Sequence, residues 1–163
     1  MCLRPQETAR PTRGKAMPGI FGFLRRPRAK QTPRQVTGQA GEKAAARFLR
    51  KRGYRIVARN VTYPQGELDL VAVERRSGTL CFVEVRSRTL VEGEDPRVTP
   101  EESVTRAKRR RVILAARQFV AGRRTARRAM RFDVVAVRFA DDRHKDPEIR
   151  HYPAAFDVAG RTT

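Results

Sequence analysis

Two acidic residues stand where apolar strands should hold none. The stretch GELDLVAVERRSGTLCFVEVRSR, residues 66–88, contains two apolar runs of strand length; Asp69 interrupts the first and Glu84 the second. Runs such as LVAV and LCFV, rich in β-branched residues and apolar on both parities, read as central strands covered on both faces. An unpaired ionised carboxylate in such a strand costs several kcal/mol, so each acid needs a cation, a set of hydrogen bonds or a metal.

A short turn joins the two strands, so the acids lie at the same end of a hairpin. If the turn is residues 75–78, Asp69 faces Glu84 at roughly 4.5–5.5 Å, which is destabilising unless something positive sits between them. Hard carboxylate oxygens with room for water suit Mg²⁺ or Mn²⁺. If Ser77 and Gly78 instead form a two-residue turn, Asp69 faces Arg86 in a buried ion pair and Glu84 takes some other partner. Glu42 is a third acid, on the flank of a helical apolar stripe; by itself it reads as a first-turn acid favoured by the helix dipole. Three acids converging beside a strongly basic chain tilt the reading towards metal-assisted phosphodiester cleavage, in which carboxylates hold the ion that polarises the phosphate.

These side chains need elements to position them. Ala40, Ala44, Ala45, Phe48 and Leu49 recur at helical spacing, which predicts a helix over 39–52 that opens at Thr37 or Gly38 and stops at Gly53. Strands follow over 54–62, 66–74 and 79–87, an antiparallel meander. Residues 90–99, with Gly93 and Pro96, read as a loop. Pro100 is expected to begin a second helix, with Glu101 and Glu102 in its first turn, a side formed by Val104, Ala107, Arg111, Leu114, Ala115, Gln118 and Phe119, and an end at Gly122. The run FDVVAVRF over 132–139 is another strand buried on both faces, and 149–156 adds an edge segment.

The 163 residues carry a net charge of +20, far beyond what solubility requires, and a polyanion is its natural partner. The charge is concentrated: residues 106–131 contain eleven Arg or Lys and no acid, and residues 1–38 carry nine against one. Arg106, Lys108, Arg109, Arg110, Arg123, Arg124, Arg127 and Arg128 are the candidate nucleic-acid contacts. Aromatic residues are only 7% of the chain and do not interleave with the basic blocks, which favours backbone tracking over base stacking. With Cys2 and Cys81 the only cysteines and His144 and His151 the only histidines, a disulfide framework and a cysteine-based zinc site are excluded. No run approaches the roughly 18 apolar residues of a membrane span. The expectation is a soluble cytoplasmic protein with no membrane partner, in three parts: a basic, proline-containing disordered arm over 1–37, an α/β domain over 38–140, and a C-terminal extension over 141–163.

The segments GQAGEKAAARFLRKRGYRIVARN, GELDLVAV and FVEVRSR, then the helix carrying Lys108, then RFDVVAV resemble, in that order, the YraN family of small bacterial proteins, assigned to the restriction-endonuclease-like fold. The resemblance covers residues 38–137. It implies a PD-(D/E)XK nuclease core, an α/β mixed sheet in α-β-β-β-α-β order flanked by helices, with archaeal Holliday-junction resolvases among its relatives. Position by position, it implies Glu42 as the first-helix acid and Asp69 and Glu84 as ligands to Mg²⁺ or Mn²⁺. The motif's lysine falls on Arg86, which cannot give up a proton as a base but can stabilise phosphate charge. Lys108 is a candidate substitute, against the plainer reading of a solvated member of its KRRR run. The expected function is a metal-dependent endonuclease-like protein acting on DNA, including branched DNA, and the resolvases imply a homodimer. The competing readings are a non-catalytic nucleic-acid-binding module and a scaffold that docks on the ribosome or a protein.

Overall fold

The computed structural model describes residues 31–90, 104–121 and 128–162. The chain runs α1 (Pro33–Lys51), β1 (Tyr54–Tyr63), β2 (Gly66–Glu74), β3 (Leu80–Thr89), α2 (Arg106–Val120), β4 (Met130–Phe139) and β5 (Glu148–Phe156). The strands form one mixed sheet in the order β1-β2-β3-β4-β5. The first three are an antiparallel meander; β4 returns parallel to β3 through α2, and β5 closes antiparallel on β4. A parallel neighbour needs a crossover connection, and α2 is that crossover.

Each face of the sheet is covered by one helix. Ala44, Ala45 and Leu49 of α1 pack on Leu70, Ala72, Val83, Val135 and Val137. Val112, Ala115, Ala116 and Phe119 of α2 pack on Val71, Phe82, Phe132 and Val134. Phe82, Phe132 and Phe156 stack in series across β3, β4 and β5, with centroids 5.5 and 5.1 Å apart. Covering on both sides is why LVAV and VVAV read as unbroken apolar runs.

Three boundaries differ from the sequence expectation. Helix α1 begins at Pro33, not at 39: the Thr32 hydroxyl accepts from the Gln35 N–H at 3.3 Å, and the Gln35 side chain accepts from the Thr32 N–H at 2.9 Å. That is a capping box with Pro at the first helical position, a stop-and-start signal hidden among the prolines of the N-terminal stretch. Residues 1–30 of the expected arm lie outside the described residues.

Helix α2 begins at Arg106, with Thr105 as its cap and no acid in its first turn; Pro100, Glu101, Glu102 and most of the 90–99 loop lie outside the described residues. Its buried face is Val112, Ile113, Ala115, Ala116, Phe119 and Val120, while Ala107, Arg111 and Gln118 are exposed. The run VILAA offers two adjacent rows to the core, and the sheet takes the one without Arg and Gln. Finally, β5 is hydrogen-bonded into the sheet, so the folded unit extends past residue 140.

Candidate functional site

The hairpin register decides which residue Asp69 meets. Leu70 pairs with Val83, Val71 with Phe82 and Val73 with Leu80. That is the register of the four-residue turn, and its next step sets Asp69 against Glu84 rather than Arg86. The ladder stops there, because the Asp69 carboxylate accepts the Val85 N–H at 2.8 Å. The alternation of β2 breaks at the same point: Leu70 packs under α1, but Leu68, two residues away, packs under α2. Residues two apart on a regular strand share a face, so β2 twists about Asp69. On the other side Asn60 adopts φ 49°, between the pairs Arg59–Leu70 and Val61–Leu68. Asn60 thus stands opposite Asp69 in an unbroken β1–β2 register, while the β2–β3 pairing ends at Leu70–Val83.

Glu84 is the buried member of the pair, with a side chain 2% exposed. Its Oε1 lies 3.5 Å from Lys108 Nζ and 3.7 Å from Arg86 Nε, and its Oε2 has no hydrogen-bond partner. Burial, and then the charge of Asp69, push its pKa up to about 7, against the pull of Lys108 and Arg86. Burial also raises Asp69, with the Val85 N–H acting against it. Glu42 is half-buried and raised as well, first by burial; a hydrogen bond with Asn60 lowers it, and Asp69 and Glu67 raise it further. Glu42 thus shares the field of the pair. Among the described residues, however, no three His, Cys, Asp or Glu side chains come together as a metal cage. The expected three-acid set is a pair, Glu84 buried and Asp69 half-buried, with a third acid at its edge, because Glu42 sits on the helix layer and not on the sheet.

Two glycines set the distances. A Cβ at Gly41 would lie 2.3 Å from Ser87 Cβ, so α1 rests directly on β3 there and carries the adjacent Glu42 towards the sheet. Ser87 Oγ donates to the Thr37 carbonyl at 3.1 Å and ties the same crossing. A Cβ at Gly66 would lie 2.7 Å from the Arg111 carbonyl oxygen, so α2 rests on the start of β2. That approach lets Lys108 reach inward: its Nζ donates to Glu67 Oε1 at 2.9 Å and faces Glu84. Burial lowers the Lys108 pKa, but Glu84 and Glu67 outweigh it and raise it overall.

The other basic candidates separate. Arg106 and Arg110 are exposed on α2 and, with Arg111 and Arg117, line a groove of about 770 Å³ against Val158, Ala159 and Gly160. Arg109 points elsewhere, donating to the carbonyls of Val104 at 3.0 Å and Gly160 at 3.1 Å. Arg128 donates to the Gly78 carbonyl at 2.9 Å at the hairpin turn. Arg123, Arg124 and Arg127 lie outside the described residues.

Sequence reading missed Glu67, Asn60 and a second polar cluster. Asp133 is fully buried and accepts from Arg131 Nε at 2.8 Å, Arg131 Nη2 at 3.0 Å and the Ala154 N–H at 3.0 Å; His151 Nε2 lies 3.0 Å from its Oδ2. Arg131 continues to Tyr54 Oη at 2.9 Å, which donates to Glu74 at 3.0 Å. Those bonds hold Asp133 below the usual carboxylate range despite its burial. The cluster joins β1, β2, β4 and β5: Tyr54 and Glu74 pair at the far end of β2 from Gly66, while Asp133 pairs with Val83, the residue before Glu84. Its signal was the lone acid in FDVVAV, the same anomaly that singled out Asp69 and Glu84.

Residues 41–137, which hold α2, the meander and most of α1 and β4, match the family described as "Uncharacterised protein family UPF0102". The chain belongs to that family. It is the YraN family that the ordered motifs resemble, and the restriction-endonuclease-like fold is compatible with it. A UPF0102 protein of Anaeromyxobacter dehalogenans is 46% identical over 128 residues, 78% of this chain and 89% of that protein. One of Syntrophotalea carbinolica is 43% identical, covering 76% of this chain and 93% of its own, and one of Myxococcus xanthus 42%, covering 80% and 97%. Family membership therefore spans the whole site: Glu42, Asp69, Glu84, Arg86 and Lys108 all fall within the matched residues. Among the described residues of this UPF0102 protein, no helix is long and apolar enough to cross a membrane.

Proposed function

We propose that this UPF0102 protein hydrolyses phosphodiester bonds in nucleic acid, DNA foremost and branched DNA included, using Mg²⁺ or Mn²⁺ held by Asp69 and Glu84. The observation that carries this reading is the Glu84 carboxylate, nearly sealed from solvent and facing Asp69, with one oxygen left unpartnered. A buried acceptor without a donor is costly, and hard oxygens are what these ions take, so the residues fit the group. A divalent ion there would supply Lewis acidity to a phosphoryl oxygen and a water of lowered pKa.

The chain's own groups do the rest. Asp69 is oriented by the Val85 N–H, which leaves its second oxygen free to turn towards Glu84. Lys108 and Arg86 present positive charge at the mouth of the site, where phosphate charge builds up in the transition state. Glu42, steadied by Asn60, orients water at the rim. The exposed arginines of α2 track the backbone beyond the scissile bond.

The test is cleavage of linear duplex, single-stranded and four-way DNA in Mg²⁺, in Mn²⁺ and in EDTA. Metal-dependent cleavage that drops to background in both Asp69→Asn and Glu84→Gln is the expected result. Cleavage that survives both substitutions sinks the assignment.

One observation favours a second reading: Glu84 already faces two cations, and among the described residues no third acid completes a cage. In that reading the acids form internal ion pairs and the protein is a non-catalytic nucleic-acid-binding module. Binding would then fall steeply with salt, as counterion release requires, and would be indifferent to EDTA.

A further inference from the structure

Lys108 stands between two carboxylates of opposite exposure. Glu84 is 2% exposed at the floor of the site and Glu67 is 59% exposed at its rim, and the same ammonium lies 3.5 Å from the first and 2.9 Å from the second. Only the rim contact has the length of a good charge-assisted hydrogen bond; the contact to the floor is a looser charge pairing. The backbone beneath is fixed. Lys108 N–H donates to the Thr105 cap at 3.3 Å, and the helix is held against Gly66 one residue before Glu67. The lysine stem is flexible, so the ammonium can lean either way while α2 stays in place.

We infer that Lys108 is a built-in counter-cation for the Asp69–Glu84 pair, and that Glu67 is a positioning residue that receives its ammonium when a divalent ion enters. This rests on the metal reading above. Without an ion, Lys108 and Arg86 are the charges that make the pair tolerable. An ion seated between Asp69 and Glu84 brings two positive charges to a place one ammonium already serves, and like charges at such distances repel strongly in a partly buried site. Glu67 lowers that cost by giving the displaced ammonium a partner it already touches. The ammonium then remains at the mouth of the site, available to a phosphate.

Calorimetric titration of the full chain with Mn²⁺ at pH 8, cross-checked by the electron-spin signal of free Mn²⁺, reads this without reference to activity. Lys108→Met keeps volume and removes charge, and is expected to bind Mn²⁺ roughly tenfold tighter, the size of a one-unit charge interaction. Glu67→Gln is expected to bind several-fold weaker. In the Lys108→Met background, Glu67→Gln is expected to change nothing further, because its effect runs through the lysine. If Glu67→Gln weakens binding equally in both backgrounds, Glu67 is itself a ligand and the inference falls. If Lys108→Met binds no tighter than wild type, with Lys108→Gln giving the same answer in a second folded variant, the counter-cation role falls while the metal reading stands. Silence of wild type and Lys108→Met alike overturns both.

Discussion

Burial gives Glu84 its unusual chemistry, and the consequence is a pH dependence of known sign. Its pKa rises from the ordinary 4.5 to about 7, first because the carboxylate is desolvated and then because Asp69 faces it. An acid with a raised folded-state pKa holds its proton more tightly when folded. Its ionisation therefore adds no penalty below about pH 4.5, and stability falls as pH climbs from there to about 7. At ~1.4 kcal/mol per pH unit the loss is about 3 kcal/mol. Thermal melts in EDTA should show the midpoint falling between pH 5 and pH 8. Glu84→Gln should remove most of that fall, and Mn²⁺ should restore the midpoint at pH 8 but add little at pH 5. A wild-type midpoint that does not move across this range would mean that Glu84 ionises without penalty.

The helices reach the site only where a side chain is missing. At Gly41 even a methyl group would overlap Ser87, whose own hydroxyl ties the helix through the Thr37 carbonyl. Gly41→Ala should therefore cost about 1–3 kcal/mol, the usual range for overpacking, read as a lower urea midpoint at unchanged slope. Adding Ser87→Gly should recover most of it, since the clash is with that side chain. If Gly41→Ala is neutral alone, α1 does not rest on β3 at this point, and the placement of Glu42 loses its support. The start of α1 was readable from Thr32, Pro33 and Gln35, once the scattered prolines before them are set aside. The face of α2 was not, because VILAA satisfies two rows equally and only the sheet chooses between them.

For the molecule as a whole, the charge of +20 has one described groove that suits it. Arg106, Arg110, Arg111 and Arg117 line that groove, and Arg111 also borders the smaller pocket beside Glu67 and Lys108. A phosphate backbone lying along α2 would thus lead to the acid pair. Arg110→Ala should weaken DNA binding about equally across sequences and reduce the slope of log K against log salt by about 1. Arg109→Ala, whose guanidinium is held by two carbonyls, should instead lower stability by loosening the segment around Gly160. An unchanged salt slope in Arg110→Ala would remove this face from the proposed nucleic-acid path.

The residue string alone determined the meander, the α/β class, the family, and the identity of the two anomalous acids. Those are local properties: apolar runs, turn residues and a charge inside a hydrophobic strand are visible wherever they stand in the chain. The chain string left open whether Asp69 meets Glu84 or Arg86, because a shift of two residues in the turn changes the partner but not the pattern. It also left Lys108 inside a run of like residues. Only the tertiary structure chose: the four-residue turn fixed the hairpin register, and the close contact of α2 with Gly66 turned one lysine of a basic helix inward to the carboxylates. Register and helix approach depend on which atoms can touch across the sheet, and that information belongs to the folded chain.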